Sequence, residues 1–333
     1  MSRFSYGFRI VGPCSGERRL TVAAVAFDAY ANCDERANVN REAYLSAFCF
    51  ADDFAEYLRR NGTTKGYGGS CWSPWLWFDI DREGDLDRAR IDAGKLAVLL
   101  CDRYAVAEDD LLIFYSGSKG FHLGLPTAFF AGAVPAPRFN KIARRLAERL
   151  AEVAGVAIDT GVYDTVRAFR APNSPHPKTG LYKRQLPFKA LLEAGPARIA
   201  EMAKSPEPFE IPNVSGDQCD WNPLADWNAA AEQLDREADA AAQRRVAVCD
   251  GVTGPTLNRM TLTFVRDGAE TGDRHRLLYS AARNLGEFGC PPALAHALLS
   301  ESALDCSLPP SEVRRQIDCG LNDAAAQGKA GAA

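Results

Sequence analysis

The sequence predicts an α+β fold in which a mixed core of strands and helices is followed by a small all-α domain. Three observations predict it. An aromatic, apolar run, WLWFDID at residues 75–81, ends in charge as a buried strand does. Ala89, Ala93, Leu96, Leu99 and Leu100 then form one apolar stripe, which marks a helix over residues 86–104. Toward the C-terminus, the paired prolines at 291–292 and 309–310 stand where helices begin and a missing N–H costs nothing.

The elements follow in order. Residues 22–27, the longest apolar stretch near the N-terminus, are too short for a signal segment and lack a cleavage pattern, so a cytoplasmic protein with no membrane partner is expected. Tyr44, Phe48, Phe54 and Leu58 have helical spacing within residues 41–60, and a glycine-rich loop follows at 66–70. After the strand at 75–81 and the helix at 86–104 come a strand at 111–115, the turn SGSKG, and a second strand, FHLGLP, closed by Pro126. A basic amphipathic helix is predicted over 138–154, short extended pieces over 158–170, and an ordered loop, APNSPHPKTG, after them. Residues 203–222, rich in Pro, Asp, Asn and Ser, mark a domain edge, followed by an alanine-rich polar helix at 224–247. Helices at 273–288, 291–303 and 309–326 complete the chain, giving a core of residues 1–205, a linker with a polar helix at 206–255, and a helical domain at 256–333.

A length of 333 residues suits about two domains. With 47% hydrophobic and 25% charged residues, disordered and fibrous classes drop out. The ten cysteines are scattered singly with no CxxC pair, so reduced, mostly buried thiols are expected. Cys306, Cys319 and His296 lack the close ligand pairs by which zinc sites are recognised. Net charge is -4, yet residues 138–189 hold eleven Lys or Arg against four acids, a +7 segment suited to phosphate backbones.

Three groups of residues carry chemistry. Asp79 and Asp81 stand at i and i+2 on a strand, so both carboxylates face one way and can share a hard divalent cation such as Mg²⁺ or Mn²⁺. The plainer alternative is the polar end of a strand. Ser116, Gly117, Ser118, Lys119 and Gly120 directly follow a strand, where backbone amides can converge on an anion; Lys119 adds charge, His122 a donor, and Phe121 turns into the core. The spacing is not that of a Walker A loop, and an ordinary turn with a buried histidine is the alternative. Asp159 follows Ile158, and Arg167, Arg170, His176 and Lys178 come after it on a proline-stiffened stretch. Taken singly, Asp159 reads as a cap or turn residue.

In that order, a strand DxD, then SGxKGxH, then a hydrophobic-Asp and R-x-P-x-S-x-H-P-K-T-G, the chain resembles the archaeo-eukaryotic primase superfamily over residues 75–190. The resemblance implies a primase-polymerase core with an RRM-like mixed sheet flanked by helices. It implies that Asp79, Asp81 and Asp159 hold two metals, Mg²⁺ or Mn²⁺. It further implies that Ser116, Ser118, Lys119, Gly120 and His122 hold the incoming triphosphate, with Arg170, His176 and Lys178 also meeting phosphates. The expected partners are a single-stranded DNA template, nucleoside triphosphates and a separate replicative helicase. Ser118 departs from the pattern, because a second basic residue is common there, and no zinc-binding cysteine cluster accompanies the core. Residues 272–326 resemble the small helical (PriCT-like) domain that follows the core in many phage and plasmid primases. The expected activity is DNA-templated nucleotide transfer. The competing readings are a metal-dependent nuclease or phosphohydrolase, which has no use for a triphosphate nest, and an inactive nucleic-acid-binding module.

Overall fold

The computed structural model describes residues 4–214, 221–249, 257–270, 272–306 and 308–330. The chain divides into two units, Met1–Ala238 and Asp239–Ala333. The first contains, in order, β1 (Tyr6–Val11), β2 (Arg19–Val22), α1 (Ala23–Ala31), β3 (Ala43–Ser46), β4 (Cys49–Phe50), α2 (Asp52–Asn61), β5 (Cys71–Trp72), β6 (Trp75–Asp81) and α3 (Leu86–Tyr104). It continues through β7 (Leu112–Tyr115), β8 (Gly120–Pro126), α4 (Phe139–Ala154), β9 (Ala168–Arg170), β10 (Arg184–Gln185), α5 (Phe188–Glu193), α6 (Pro196–Met202) and α7 (Trp221–Cys249) as far as Ala238. The second unit holds the rest of α7 with α8 (Arg259–Asp267), α9 (Arg274–Glu287), α10 (Pro292–Asp305) and α11 (Pro310–Ala330).

The strands form two antiparallel sheets, one ordered β5-β4-β1-β3-β9 with β2 added beside β1, the other ordered β10-β7-β8-β6. Alternation decides what each face of the second sheet meets. Phe78 and Ile80 of β6 are fully buried, and α3 packs along β6 and β8 with Ala89, Ala93, Leu96 and Leu100 buried. The other face carries Trp77, Asp79 and His122 toward β9 of the first sheet, where Phe169 lies 5.4 Å from the Trp77 ring and 4.4 Å from the His122 ring, centroid to centroid. Asp85 caps α3 by accepting the Arg88 N–H at 2.9 Å.

The helix expected across residues 41–60 is a correction. Only Asp52–Asn61 is helical, while Tyr44 lies in β3 and Phe48 sits between β3 and β4. Their four-residue spacing imitates a helix, but Tyr44 pairs with Ile10 on one side and Arg170 on the other, so sheet pairing decides the conformation. The cysteine expectation is also corrected. The eight cysteines described are free, yet only Cys71 is fully buried, with Cys14 and Cys319 exposed; the side chains of Cys219 and Cys249 lie outside the described residues.

The boundary between units falls inside α7, so part of the 206–255 segment belongs to the first unit. Asp226 accepts from Arg103 (2.6 and 2.8 Å) and Tyr104 (2.8 Å), and Trp227 packs on Phe139 with centroids 5.3 Å apart. The remainder of the proposed 203–222 edge, residues 215–220, lies outside the described residues. The second unit is all helical around a core of Phe264, Leu278, Leu285, Leu299, Val313 and Ile317. The helix α8 is absent from the sequence expectation, although Asn258 caps it by accepting the Thr261 N–H at 2.8 Å. Among the described residues no helix is long and apolar enough to cross a membrane.

Candidate functional site

Strand pairing brings the first two motifs together. In the β6–β8 ladder Asp79 faces His122 and Asp81 faces Gly120. Cross-strand partners share a face, so His122 Nε2 comes within 3.4 Å of Asp79 Oδ1. Glycine is obligatory at 120, because a Cβ there would overlap the Ile80 carbonyl and the Asp81 carboxylate. The same close approach lets Asp81 keep its place on the strand.

The SGSKG segment is a tight turn. Ser116 N–H donates to Gly120 O (2.9 Å), and Gly120 N–H returns to Ser116 Oγ (3.2 Å). Tyr115 Oη–H donates to Ser118 O at 3.0 Å. Gly117 adopts φ +86°, and a Cβ there would meet Leu181 O at 2.6 Å. Lys119 turns its ammonium toward Asp81 (3.3 Å) and Glu83 (3.2 Å). The cation that the sequence offers to a phosphate is thus paired with a carboxylate of the first motif.

Asp159 joins the other two through the main chain. Its N–H donates to Asp79 O at 2.8 Å, and its own Oδ1 accepts the Gly161 N–H at 2.8 Å, capping a short 3-10 turn, Thr160–Tyr163. Tyr163 Oη–H donates to Trp77 O, which fixes that turn along β6. Asp159 is thus a turn-capping aspartate, the alternative the sequence offers for it, and its main chain stands beside that of Asp79. Burial, followed by the neighbouring Asp81 and Asp159, pushes the Asp79 carboxyl up to about 8. Burial also raises Asp81, opposed by Lys119. Asp79 Oδ1 is buried with no hydrogen-bond donor. Among the described residues no group of three or more His, Cys, Asp or Glu side chains is gathered so as to hold a metal ion. The three carboxylates are neighbours, not a closed ligand set.

His122 is 6% exposed, with its ring on Phe169 and its Nδ1 lacking a partner. Burial, then the nearby Lys183 and Arg170, hold it well below the ordinary imidazole range, so it is neutral. Its surroundings are mixed, an aromatic ring and a carboxyl with two cations near.

The third motif supplies the rim. Arg170 on β9 lies over the Tyr44 ring at 5.0 Å, donates to Tyr44 Oη (3.3 Å) and to Pro175 O (3.3 Å), while Tyr44 Oη–H is anchored on Glu42 at 2.5 Å. Asn173, fully buried at φ +53°, bonds Tyr30 O (3.0 Å) and Glu207 O (2.9 Å), and Ser174 Oγ–H donates to Ala171 O (2.8 Å). The stiff loop is ordered by those bonds. Beyond it, His176 N–H donates to Leu181 O (2.8 Å), and Gly180 N–H to His176 O (2.9 Å). Lys178 N–H donates to His176 Nδ1 at 3.2 Å, which leaves Nε2 as the outward-facing atom. Thr179 Oγ–H donates to Gly117 O at 2.5 Å, so this loop and SGSKG are fastened together. Lys178 itself is exposed.

Lys183 is one residue that sequence reasoning missed. It is 1% exposed, donates to Arg170 O at 2.9 Å, and sits over the Phe169 ring at 4.0 Å and the Phe114 ring at 4.9 Å. Burial drives its ammonium well below the usual lysine range, with the Asp79 carboxyl opposing. In LYKRQ nothing distinguishes it from its neighbour Arg184; only the strand register reveals that it points between the sheets. The basic helix α4 also differs from a bare charge count. Arg138 pairs with Asp235 (2.6 Å), Arg144 with Glu148 (2.8 Å), and Arg145 with both Glu148 and Glu237 (2.6 Å each).

No protein-family model matches the chain, and no curated protein matches its sequence. A solved structure titled "Crystal structure of primase RepB'" is similar to it at 14% identity, covering 97% of this chain and 93% of the other, with a TM-score of 0.34.

Proposed function

We propose that this protein is a DNA-templated nucleotidyltransferase, a primase or primase-polymerase that joins nucleoside triphosphates by a two-metal mechanism. The observation that carries the reading is the convergence of three separated motifs. Asp79 faces His122 across β6 and β8, Asp159 bonds to the Asp79 main chain, and the HPKTG loop is fastened to the SGSKG turn.

Asp79, Asp81 and Asp159 are the residues that would hold Mg²⁺ or Mn²⁺. The donor set fits, being carboxylate oxygens, the ligands these hard cations prefer. Two further observations agree with it: the buried, donorless Oδ1 of Asp79, and the burial, joined by repulsion from Asp81 and Asp159, that raises its carboxyl. A cation pair bound there would make the primer hydroxyl a better nucleophile and neutralise the leaving pyrophosphate.

The chain's own residues do the rest. Arg170 is preset by Tyr44 and Glu42, so its planar fork is ready for phosphate oxygens before substrate arrives. His176 presents Nε2 and Lys178 its exposed ammonium on the same loop, while Lys119 would exchange Asp81 for triphosphate once that carboxylate is otherwise neutralised. Neutral His122, whose Nε2 lies 3.4 Å from Asp79 Oδ1, lines the floor of the site beside that carboxyl, without proton transfer. The helical second unit is assigned to the PriCT-like class, with a replicative helicase acting as a separate partner.

Incubation with single-stranded DNA, labelled NTPs or dNTPs and Mg²⁺ or Mn²⁺ is expected to yield extended products that disappear in Asp79→Ala. DNA binding without incorporation under either metal would favour the inactive binding module. Shortening of the DNA would favour a nuclease.

A further inference from the structure

Immediately after Asp81 the chain places an arginine whose side chain folds back along the strand end. Arg82 Nη1 donates to Asp81 O at 2.7 Å, and Nη2 donates to Ala157 O at 3.1 Å. Nε and Nη2 also reach Asp92 Oδ2, at 3.0 and 2.7 Å. Its own N–H donates to Lys119 O at 3.0 Å. One side chain therefore touches the strand that carries Asp79 and Asp81, the segment two residues before Asp159, and helix α3.

Asp92 is the unexpected member. Its side chain is 2% exposed on a helix face otherwise made of Ala89, Ala93 and Leu96. A buried carboxylate costs free energy unless it is paired. Arg82 pairs it, and Arg88 and Lys95 approach at 3.4 and 3.7 Å. An apolar residue would pack this face at lower cost, so the pair needs another reason to be there. Arg82 supplies one, because two carbonyls and a carboxylate can be met at once only by a planar guanidinium whose direction is fixed from behind.

We propose that Arg82, oriented by Asp92, is a positioning residue that sets the distance between the Asp159 segment and the Asp79–Asp81 strand end, and so sets the affinity of the site for a divalent cation. The proposal rests on the reading of the three aspartates as metal ligands. Residues that orient ligands from behind typically govern metal affinity by about 10–100-fold.

The experiment is Mn²⁺ binding to the full chain without nucleotide, followed by the loss of the free-ion electron paramagnetic resonance signal, with melting temperature recorded alongside. The parent is expected to bind and Asp79→Asn to lose binding, which tests the site itself. Arg82→Gln is expected to weaken Mn²⁺ by about 10-fold or more. Arg82→Lys is expected to weaken it nearly as much, since an ammonium cannot span three acceptors, and it stands in for Arg82→Gln should that variant fail to fold. Asp92→Asn should fall between, and the Arg82→Gln/Asp92→Asn double variant should be no weaker than Arg82→Gln alone. Parent-like Mn²⁺ affinity in the Arg82 variants, with only the melting temperature lowered, overturns the positioning role and leaves the metal reading standing. Parent-like binding in Asp79→Asn, or none in the parent, overturns both.

Discussion

Asp79 bears an electrostatic cost, because it is buried, faces two other carboxylates and has one oxygen without a donor. Its folded carboxyl titrates near 8, whereas an unfolded aspartate titrates near 3.8. Between those values the folded chain holds a proton that the unfolded chain has released, so rising pH favours unfolding across that window, and the penalty is complete above it. With chelator present, the melting temperature of the parent is expected to fall from pH 5 to pH 9 by about 5 °C more than that of Asp79→Asn. Mg²⁺ or Mn²⁺ should recover the difference at the alkaline end. Superimposable pH curves for the two proteins would show that Asp79 is not under this strain. At this scale the carboxylates, the histidine and the loop cations are legible from residue type and order. Lys183, Tyr44 and Arg82 are not, since their roles come from contacts made across sheets and helices by residues of ordinary type in ordinary sequence surroundings.

The element that makes the site is the β6–β8 pair, whose register sets Asp79 against His122 and Asp81 against Gly120. A side chain at 120 has nowhere to go, since its Cβ would overlap Ile80 O and Asp81 Oδ1 and lie 2.9 Å from Asp81 Cα. Gly120→Ala is expected to cost about 1–3 kcal/mol of stability, the usual range for overpacking, and to abolish nucleotide incorporation by displacing Asp81. Gly68→Ala, where an added Cβ meets nothing within 4 Å, should leave both unchanged. Chemical denaturation and the incorporation assay together read the result; full activity in Gly120→Ala would mean that the register does not hold Asp81 in place. Elements of this kind are readable in advance when they are long and periodic. The strand at 75–81 and the helix at 86–104 coincide with β6 and α3, because a continuous aromatic run that ends in charge and a 3.6-residue stripe both stand out over that length. The two-, three- and four-residue strands β3, β4, β5, β9 and β10 are too short for any period to register, and long-range pairing alone defines them.

For the molecule as a whole, the distribution of charge matters more than its sum. The +7 of residues 138–189 looks like a continuous track for a phosphate backbone, yet α7 lays Asp235 and Glu237 against Arg138 and Arg145 of α4. Free positive charge is thereby reduced along α4, while among the described residues no acidic helix is paired with Arg170, His176 or Lys178. Exposed pairs of this kind add little to stability, so opening them is tolerated by the fold. Asp235→Asn/Glu237→Gln releases Arg138 and leaves Arg145 on Glu148 alone, and each new contact to single-stranded DNA should steepen the fall of log K with log salt by about 0.7. The double variant is therefore expected to bind a labelled oligonucleotide more tightly at low salt, with a slope steeper by about 0.7 or more, in anisotropy titrations over a range of NaCl concentrations. An unchanged slope would remove α4 from the path of the DNA and leave the HPKTG loop and Arg170 as the cationic surface that a template meets.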